Sequence, residues 1–423
     1  MKDLDTKEMA VRIWINEKIK EVLDKYGFQL VEPSALENLE TLQVQCGEDL
    51  KNEIYWFKDK SDREIGLRFD LTVGLTRMVA NKPELPEPIK IACISNMWRY
   101  DEPQFARYRC FWQWDVEIYG SKEQEADAEV IAVGVDILEN LGLKNFEVKI
   151  NNRKLTEGVL NSIGVSSAKQ LEDTLRIIDK IRKVSEGELI EDLAECGIAE
   201  NTAKKIMQFM KISGRAEEVL KKLRKIIPDN QKAREGYGEL VKLVETLKML
   251  GKIEKCSLDM SIVRGIGYYT GIVFECYDKG GKDVGAIFAG GRFDDLSKLY
   301  GKDRPATGVA GGIERTIISL ERAKIIPEFK ISTKVFVAAV EDDVRRNAME
   351  IAQKLRMKNI ATEIDLKKRN LTKQLEYADG LGIPYVVIVG KNEIKKKKFK
   401  LRDMKKKIER ELKIEEIIKL LQK

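Results

Sequence analysis

Histidine is absent from all 423 residues of the chain. Imidazole acid–base catalysis and histidine-based metal sites are thereby excluded, so arginine, lysine, tyrosine and the carboxylates must carry any chemistry. A run of about twenty apolar residues, the length that crosses a bilayer, is missing too, and the N-terminus lacks a signal-peptide pattern. A soluble, cytoplasmic protein away from membranes is expected. The six cysteines, at 46, 93, 110, 196, 256 and 276, form no Cys-x-x-Cys pair. Their spacing argues against a zinc site and a disulfide framework and suits small buried hydrophobes.

The net charge is only +6, but it is unevenly placed: residues 331–423 hold 24 Lys+Arg against 14 Asp+Glu, net +10, which leaves −4 for residues 1–330. A basic C-terminal segment on a mildly acidic body points to a polyanion partner for that segment. With 35% charged residues, rich in Lys and Glu, the chain also has the surface of a heat-adapted protein. The two readings are compatible.

The stretch around which the rest is organised is 97–120, MWRYDEPQFARYRCFWQWDVEIYG. Two runs rich in β-branched and aromatic residues flank a turn at 103–106, which predicts a hairpin. In the second run Arg107, Arg109, Phe111, Gln113, Asp115, Glu117 and Tyr119 share one face, and Tyr108, Cys110, Trp112, Trp114, Val116 and Ile118 share the other. The apolar face can pack on helices. The polar face has cations at one end and carboxylates at the other, which fits a zwitterionic or phosphate-bearing ligand better than mere solvation.

Periodicity predicts an amphipathic helix over 5–26, a strand at 28–31, a short helix at 36–39 and a hairpin of 54–58 with 64–72. In that last strand Arg68, Asp70 and Thr72 would share a face. Helices are expected at 73–80, 123–141 and 153–163, with a strand at 146–151. From 166 to 250 the pattern is wholly helical, an all-α insertion; strands return at 257–259, 268–278, 285–288 and 307–310, then a helix at 312–324. Beyond a linker at 327–333, strand–helix alternation predicts a small α/β domain with parallel strands.

Several segments then stand in a consistent order: GFQLVEPSALE (27–37), LRFDLTVGLTR (67–77), RYDEPQFARYRCFWQWDVEIYG (99–120), VRGIGYYTGIVFE (263–275), AGGRFDDL (289–296), GVAGGIERT (308–316) and EIDLKKRNLTKQLEYADGLGIPYVVIVG (363–390). Together they resemble the class II aminoacyl-tRNA synthetases and, within them, the histidyl-tRNA synthetase family. The first is similar to the class motif of the dimer interface, the third to the second class motif, the fourth to a signature of the histidyl branch. The fifth and sixth resemble the third-motif region, and the last an anticodon-binding domain.

The resemblance implies an α+β catalytic domain, an antiparallel sheet flanked by helices, over 1–165 and 251–326. It further implies a helical insertion over 166–250 and an α/β anticodon-binding domain over 331–423. The implied activity is activation of L-histidine by ATP with Mg2+ and transfer to the 3′ end of tRNA(His), by a homodimer, with no metal caged by protein. Among site residues, Arg99 would contact the α-phosphate and the substrate carboxylate, Arg264 the charge developing there, and Arg315 the distal phosphates. Asp101 and Arg107 would also serve ATP, with Gln104 near ATP or the tRNA end. Histidine would be held by Asp70, Leu71, Thr72, Gln113, Glu117, Tyr268 and Tyr269, with Arg99 and Arg264; Glu117 and Tyr269 would read the imidazole. Arginine suits the joining of two anions, because it is permanently charged and bidentate, and such a reaction needs no general base. Gln113 and Glu117 stand about 13 Å apart along a strand, which suits an amine at one end and a side chain beyond.

Four positions depart from the family's pattern, among them Asp101, which stands for the class's usual glutamate, a shortening seen within the family. Gly74 stands for a proline and is expected to loosen a helix start. Gly267 stands for an aspartate, removing a carboxylate beside Arg264, and Phe293 stands for a tyrosine, removing a hydroxyl. The rival reading is a catalytically inactive, synthetase-like regulatory subunit of histidine biosynthesis. Retention of Arg99, Arg264, Arg315 and the segment 331–423 disfavours it.

Overall fold

In the computed structural model, which describes residues 3–43, 53–102, 104–182, 184–264, 268–329 and 332–422, a capping box starts the first helix. Asp5 accepts from the Lys7 and Glu8 amides, Glu8 returns the bond, and α1 (Thr6–Tyr26) runs until Gly27 ends it at φ 74°. Cys46, Pro103 and Gly267 lie outside the described residues.

Two expectations near the N-terminus fail. Residues expected to start a helix at 36 instead form β2 (Leu36–Asn38), before α2 (Leu39–Gln43) begins. Their partner is β4 (Glu64–Leu67), which also pairs with β3 (Trp56–Lys58), so tertiary pairing overrides local propensity. The strand expected to run through Thr72 stops at Leu67. Asp70 there accepts from the Val73 amide at 3.2 Å, at the start of α3 (Thr72–Ala80). Arg68 consequently parts from Asp70 and Thr72: it is buried and donates to the Pro33 and Asn96 carbonyls and to Glu32. Gly74 does more than loosen a helix start, because a Cβ there would meet Pro33 Cβ at 2.9 Å. The glycine lets α3 close on the proline of the first motif.

Among the described residues a nine-stranded sheet forms the body of residues 1–326. It takes in β1 (Gln29–Leu30), β5 (Ile89–Trp98), β6 (Cys110–Tyr119), β7 (Phe146–Asn152), β8 (Ser213–Gly214), β9 (Cys256–Asp259), β10 (Ile272–Asp278), β11 (Ala286–Arg292) and β12 (Ala306–Gly312). The order is β1-β5-β6-β12-β11-β10-β7-β9-β8, antiparallel through the centre, with parallel pairs at β1–β5 and β7–β9. Trp114, Val116 and Ile118 of β6 enter the main core with α1, α4 (Gln124–Asn140), α5 (Arg153–Ser162) and α11 (Ile313–Arg322), as alternation requires. A second apolar cluster includes Leu71, Leu75, Tyr119, Tyr268, Tyr269 and Phe293.

The helical segment comprises α6 (Ala168–Ile178), α7 (Glu186–Glu195), α8 (Glu200–Met210), α9 (Ala216–Ile226) and α10 (Gln231–Met249). It is not wholly helical, since β8 pairs with β9 at the sheet edge. Its core is shared with the body, and residues 1–326 form one compact unit, with Pro327–Lys423 the other.

The second unit holds β13 (Val335–Ala339), α12 (Arg345–Arg356), β14 (Thr362–Ile364), α13 (Leu371–Gly380), β15 (Tyr385–Val389), α14 (Lys391–Lys396), β16 (Phe399–Asp403), β17 (Ile408–Leu412) and α15 (Ile414–Leu421). In its sheet, ordered β14-β13-β15-β16-β17, the first three strands are parallel and the last two are antiparallel additions, so the sheet is mixed and not all parallel. In β16 the alternation is plain, with Phe399 and Leu401 buried and Lys400 and Arg402 more exposed.

Candidate active site

Pro103 of the turn expected at 103–106 lies outside the described residues; a turn is present at 104–107, but strand β6 begins only at Cys110. The ladder of strands β5 and β6 ends at Trp98 and Cys110; in the loop that joins them the Arg99 amide donates to the Arg109 carbonyl at 3.0 Å and the Arg107 amide to the Gln104 carbonyl at 3.0 Å. That loop, with the segment after β4, the segment around Arg264 and strands β6, β11 and β12, encloses a cavity of about 500 Å3. Asp70, Thr72, Arg99, Asp101, Arg107, Gln113, Arg264, Tyr268, Tyr269 and Arg315 all line it. Leu71 does not, being wholly buried in the second apolar cluster. Gln104 is also off the lining. Glu117 lies behind the lining, near the Thr72 hydroxyl, and accepts from the Tyr119 hydroxyl.

Carboxylates crowd one part of this cavity. Burial pushes the Glu117 carboxyl up to about 8. Asp70 is raised by burial as well, and Asp115 is raised well above the ordinary range by burial and then by the charges of Glu117 and Asp70. Asp115 Oδ1 and Glu117 Oε1 are buried without a well-formed hydrogen bond, although the Thr72 hydroxyl favours the Glu117 carboxylate. Unpaired buried oxygens of this kind cost about 1–3 kcal/mol each. A ligand ammonium or imidazole N–H would satisfy them.

Arginines crowd another part. Arg99 donates to the Phe69 carbonyl at 2.9 Å and lies over the Phe111 ring; Arg315 donates to the Ala286 carbonyl at 2.9 Å. Neither has a carboxylate in salt-bridge reach among the described residues. Burial, then the charges of Arg107 and Arg99, push Arg315 below arginine's ordinary pKa, the sign of cations gathered without an anion. Arg107 has only a long contact to Asp101, 3.7 Å. A polyanionic ligand would relieve this repulsion.

Arg264 sits at φ 51°, a left-handed conformation that costs an ordinary residue energy and is retained where function needs it. Its Nη1 pairs with Glu275 at 3.1 Å, its Nη2 reaches the Tyr269 hydroxyl at 3.3 Å, and its buried Nε has no partner. Glu275, the last residue of the 263–275 segment, is thus a carboxylate beside Arg264. Phe293 packs edge-on to Tyr119 and Tyr268, a purely apolar contact.

The glycines of GVAGG divide by role. Gly308 and Gly312 line the cavity, whereas a Cβ on Gly311 would strike the Trp114 indole at 2.2 Å, so that glycine serves packing and not ligand approach. Sequence reasoning missed two site residues. Asp115 was visible from the alternation of β6, which puts it between Gln113 and Glu117. Glu275 was in view as the last residue of VRGIGYYTGIVFE (263–275), but its pairing with Arg264 depends on where the Arg264 backbone turns.

Comparison with known proteins identifies the family. A family profile described as Histidyl-tRNA synthetase matches residues 1–316, and one described as Anticodon binding domain matches 334–423. The chain is 40% identical to a histidine–tRNA ligase of Thermococcus kodakarensis over 428 residues, 99% of this chain and 97% of that one. It is also 40% identical to a histidine–tRNA ligase of Pyrococcus horikoshii, with 95% and 93% covered. Among solved structures, histidyl-tRNA synthetase from Nostoc sp. PCC 7120 superposes with a TM-score of 0.82 at 27% identity, covering 100% of this chain and 97% of that one. A Bacillus halodurans structure titled as an ATP phosphoribosyltransferase regulatory subunit/histidyl-tRNA synthetase shares the fold, with a TM-score of 0.76 at 22% identity over 92% and 96%. Matched by profile over most of its length and by curated relatives from end to end, the chain belongs to the histidyl-tRNA synthetase family.

Proposed function

We infer that the protein is a histidine–tRNA ligase, which activates L-histidine with ATP and transfers it to the 3′ end of tRNA(His). The observation that carries this reading is the division of the cavity into a carboxylate part with unsatisfied oxygens and an arginine part with unpaired cations. That division suits a substrate with an amine at one end and a reaction between two anions.

In adenylate formation a carboxylate oxygen of histidine attacks the α-phosphorus, a P–O bond forms, and the bond to the departing diphosphate breaks. Arg99 and Arg264 hold the two anions together, and Arg315 with Arg107 holds the phosphates that leave; Asp101 steadies Arg107. Positioning and charge stabilisation suffice, so the lack of histidine is no obstacle. Asp70, Thr72 and Gln113 take the α-amino group, with Asp115 as a further acceptor. Glu117 and Tyr269 take the imidazole, and a side chain that cannot pair with them leaves buried polar groups unsatisfied, which is the stronger form of discrimination. Mg2+ would enter with the phosphates of ATP, whose charge it offsets. Among the described residues no group of three acidic, cysteine or histidine side chains could hold a metal.

The basic second unit serves the anticodon loop, whose unstacked bases can be read by their edges, and the helical segment 166–250 serves the acceptor stem. The working form is a homodimer in the cytoplasm. No helix among the described residues is long and apolar enough to cross a membrane. The regulatory-subunit reading is disfavoured by the retained arginines and by the second unit. ATP–diphosphate exchange by the purified full-length chain decides: exchange should depend on L-histidine and on no other amino acid, and its absence refutes the reading.

A further inference from the structure

Glu275 and Tyr277 lie on one face of β10, two residues apart. The Tyr277 hydroxyl donates to Glu275 Oε2, while Glu275 Oε1 pairs with Arg264 at 3.1 Å. The guanidinium of Arg182 lies over the Tyr277 ring, 4.4 Å from its centroid, and donates to Asp259 at 3.0 Å. Asp259, largely buried, also receives Lys149 at 2.9 Å and the Ser261 hydroxyl at 2.5 Å. Arg182 belongs to the turn between α6 and α7 of the helical segment, and Asp179, three residues earlier, lines the cavity. The helical segment thus touches the active site through one turn, and that turn rests on the group that holds Arg264.

We propose that Arg182, Tyr277 and Glu275 form a positioning relay through which the helical segment sets the orientation of Arg264 for adenylate formation. Glu275 carries the carboxylate that fixes the guanidinium, Tyr277 fixes Glu275, and Arg182 fixes Tyr277 by stacking while Asp259 anchors Arg182. The partner class that would act through the relay is a nucleic acid bound on the helical segment, since anything that lifts the α6–α7 turn releases the first link. The proposal rests on the reading of Arg264 as a catalytic residue.

Histidine-dependent ATP–diphosphate exchange by the full-length chain tests it. Arg182 is a surface residue, and its removal leaves the core intact. Arg182→Ala and Tyr277→Phe should each lower kcat roughly three- to thirtyfold, the worth of one desolvated cation–π contact or hydrogen bond, with KM for histidine changed less than about twofold. Because the relay acts through Glu275, Arg182→Ala added to Glu275→Gln should cost nothing beyond Glu275→Gln alone. Wild-type kcat in Arg182→Ala, fully additive losses in the double variant, or a defect confined to transfer onto tRNA would each overturn the relay. Arg264→Ala separates the two levels: if it keeps exchange within about tenfold of wild type, the catalytic assignment of Arg264 has failed, and the relay with it.

Discussion

Replacement of Glu117 by glutamine should make the protein more stable and a worse enzyme, with both effects set by the same buried charge. The Glu117 carboxyl is wholly buried, and its pKa stands at about 8 against an ordinary 4.5. At roughly 1.4 kcal/mol per unit, folding at pH 7 must either protonate this group or bury its charge, at a cost of about 3 kcal/mol that rises toward 5 by pH 9. The sign follows from the raised folded value. Below about pH 4.5 both states are protonated and no penalty exists; the penalty grows as pH climbs through the window to 8 and is constant above it. The amide removes the charge and can still accept from the Tyr119 hydroxyl, but its NH2 inherits the unsatisfied position at about 1 kcal/mol. The net gain at pH 7 is therefore about 2 kcal/mol, seen as a rise of about 2–4 °C in thermal melts. Melts of wild type and variant from pH 4.5 to 9 should show the gain opening with pH, while exchange assays show KM for histidine raised about tenfold or more. A variant no more stable than wild type at pH 8, or one equally stabilised at pH 4.5 and pH 8, would refute the assignment of a buried, strained carboxylate.

Arg315→Ala should leave melting nearly unchanged, since relief of the repulsion from Arg107 and Arg99 offsets the donor lost to the Ala286 carbonyl, yet lower kcat about 10²–10³-fold in exchange. Asp115→Asn should raise KM for histidine about tenfold with little change in KM for ATP, and equal changes in both would remove Asp115 from the amine part. Gly74→Ala, which in an exposed helix would gain about 1 kcal/mol, should instead cost about 1–2 kcal/mol in denaturant titration because its Cβ meets Pro33 at 2.9 Å. A histidine-free chain needs no histidyl-tRNA for its own translation, so a histidine-depleted extract should yield this chain in full length as well as a replete one; a strongly reduced yield refutes the prediction.

What could be read from the sequence divides along a physical line. Period-two alternation in β6 placed Gln113, Asp115 and Glu117 on one face because strand geometry alone decides that, whatever lies opposite. The helices of 166–250 were legible for the same reason, being set by local periodicity. The strand at 36–38 was not, because Leu36–Asn38 acquires its conformation from pairing with β4, a partner nearly thirty residues away. Nor was the early end of the β5–β6 ladder at Trp98 and Cys110, which depends on where two strands cease to pair and leaves Arg99 and Arg107 to line one cavity. The departures from the family's pattern show the same division. Gly267 read as a lost carboxylate, yet Glu275, which closes the same 263–275 segment on β10, faces Arg264 at 3.1 Å. Gly74 read as a weakened helix, yet it is a contact with Pro33. In both cases the position was judged by the residue type it lost, whereas what matters there is a neighbour that folding brings close. A motif names which groups a site needs; only the fold shows which element supplies them.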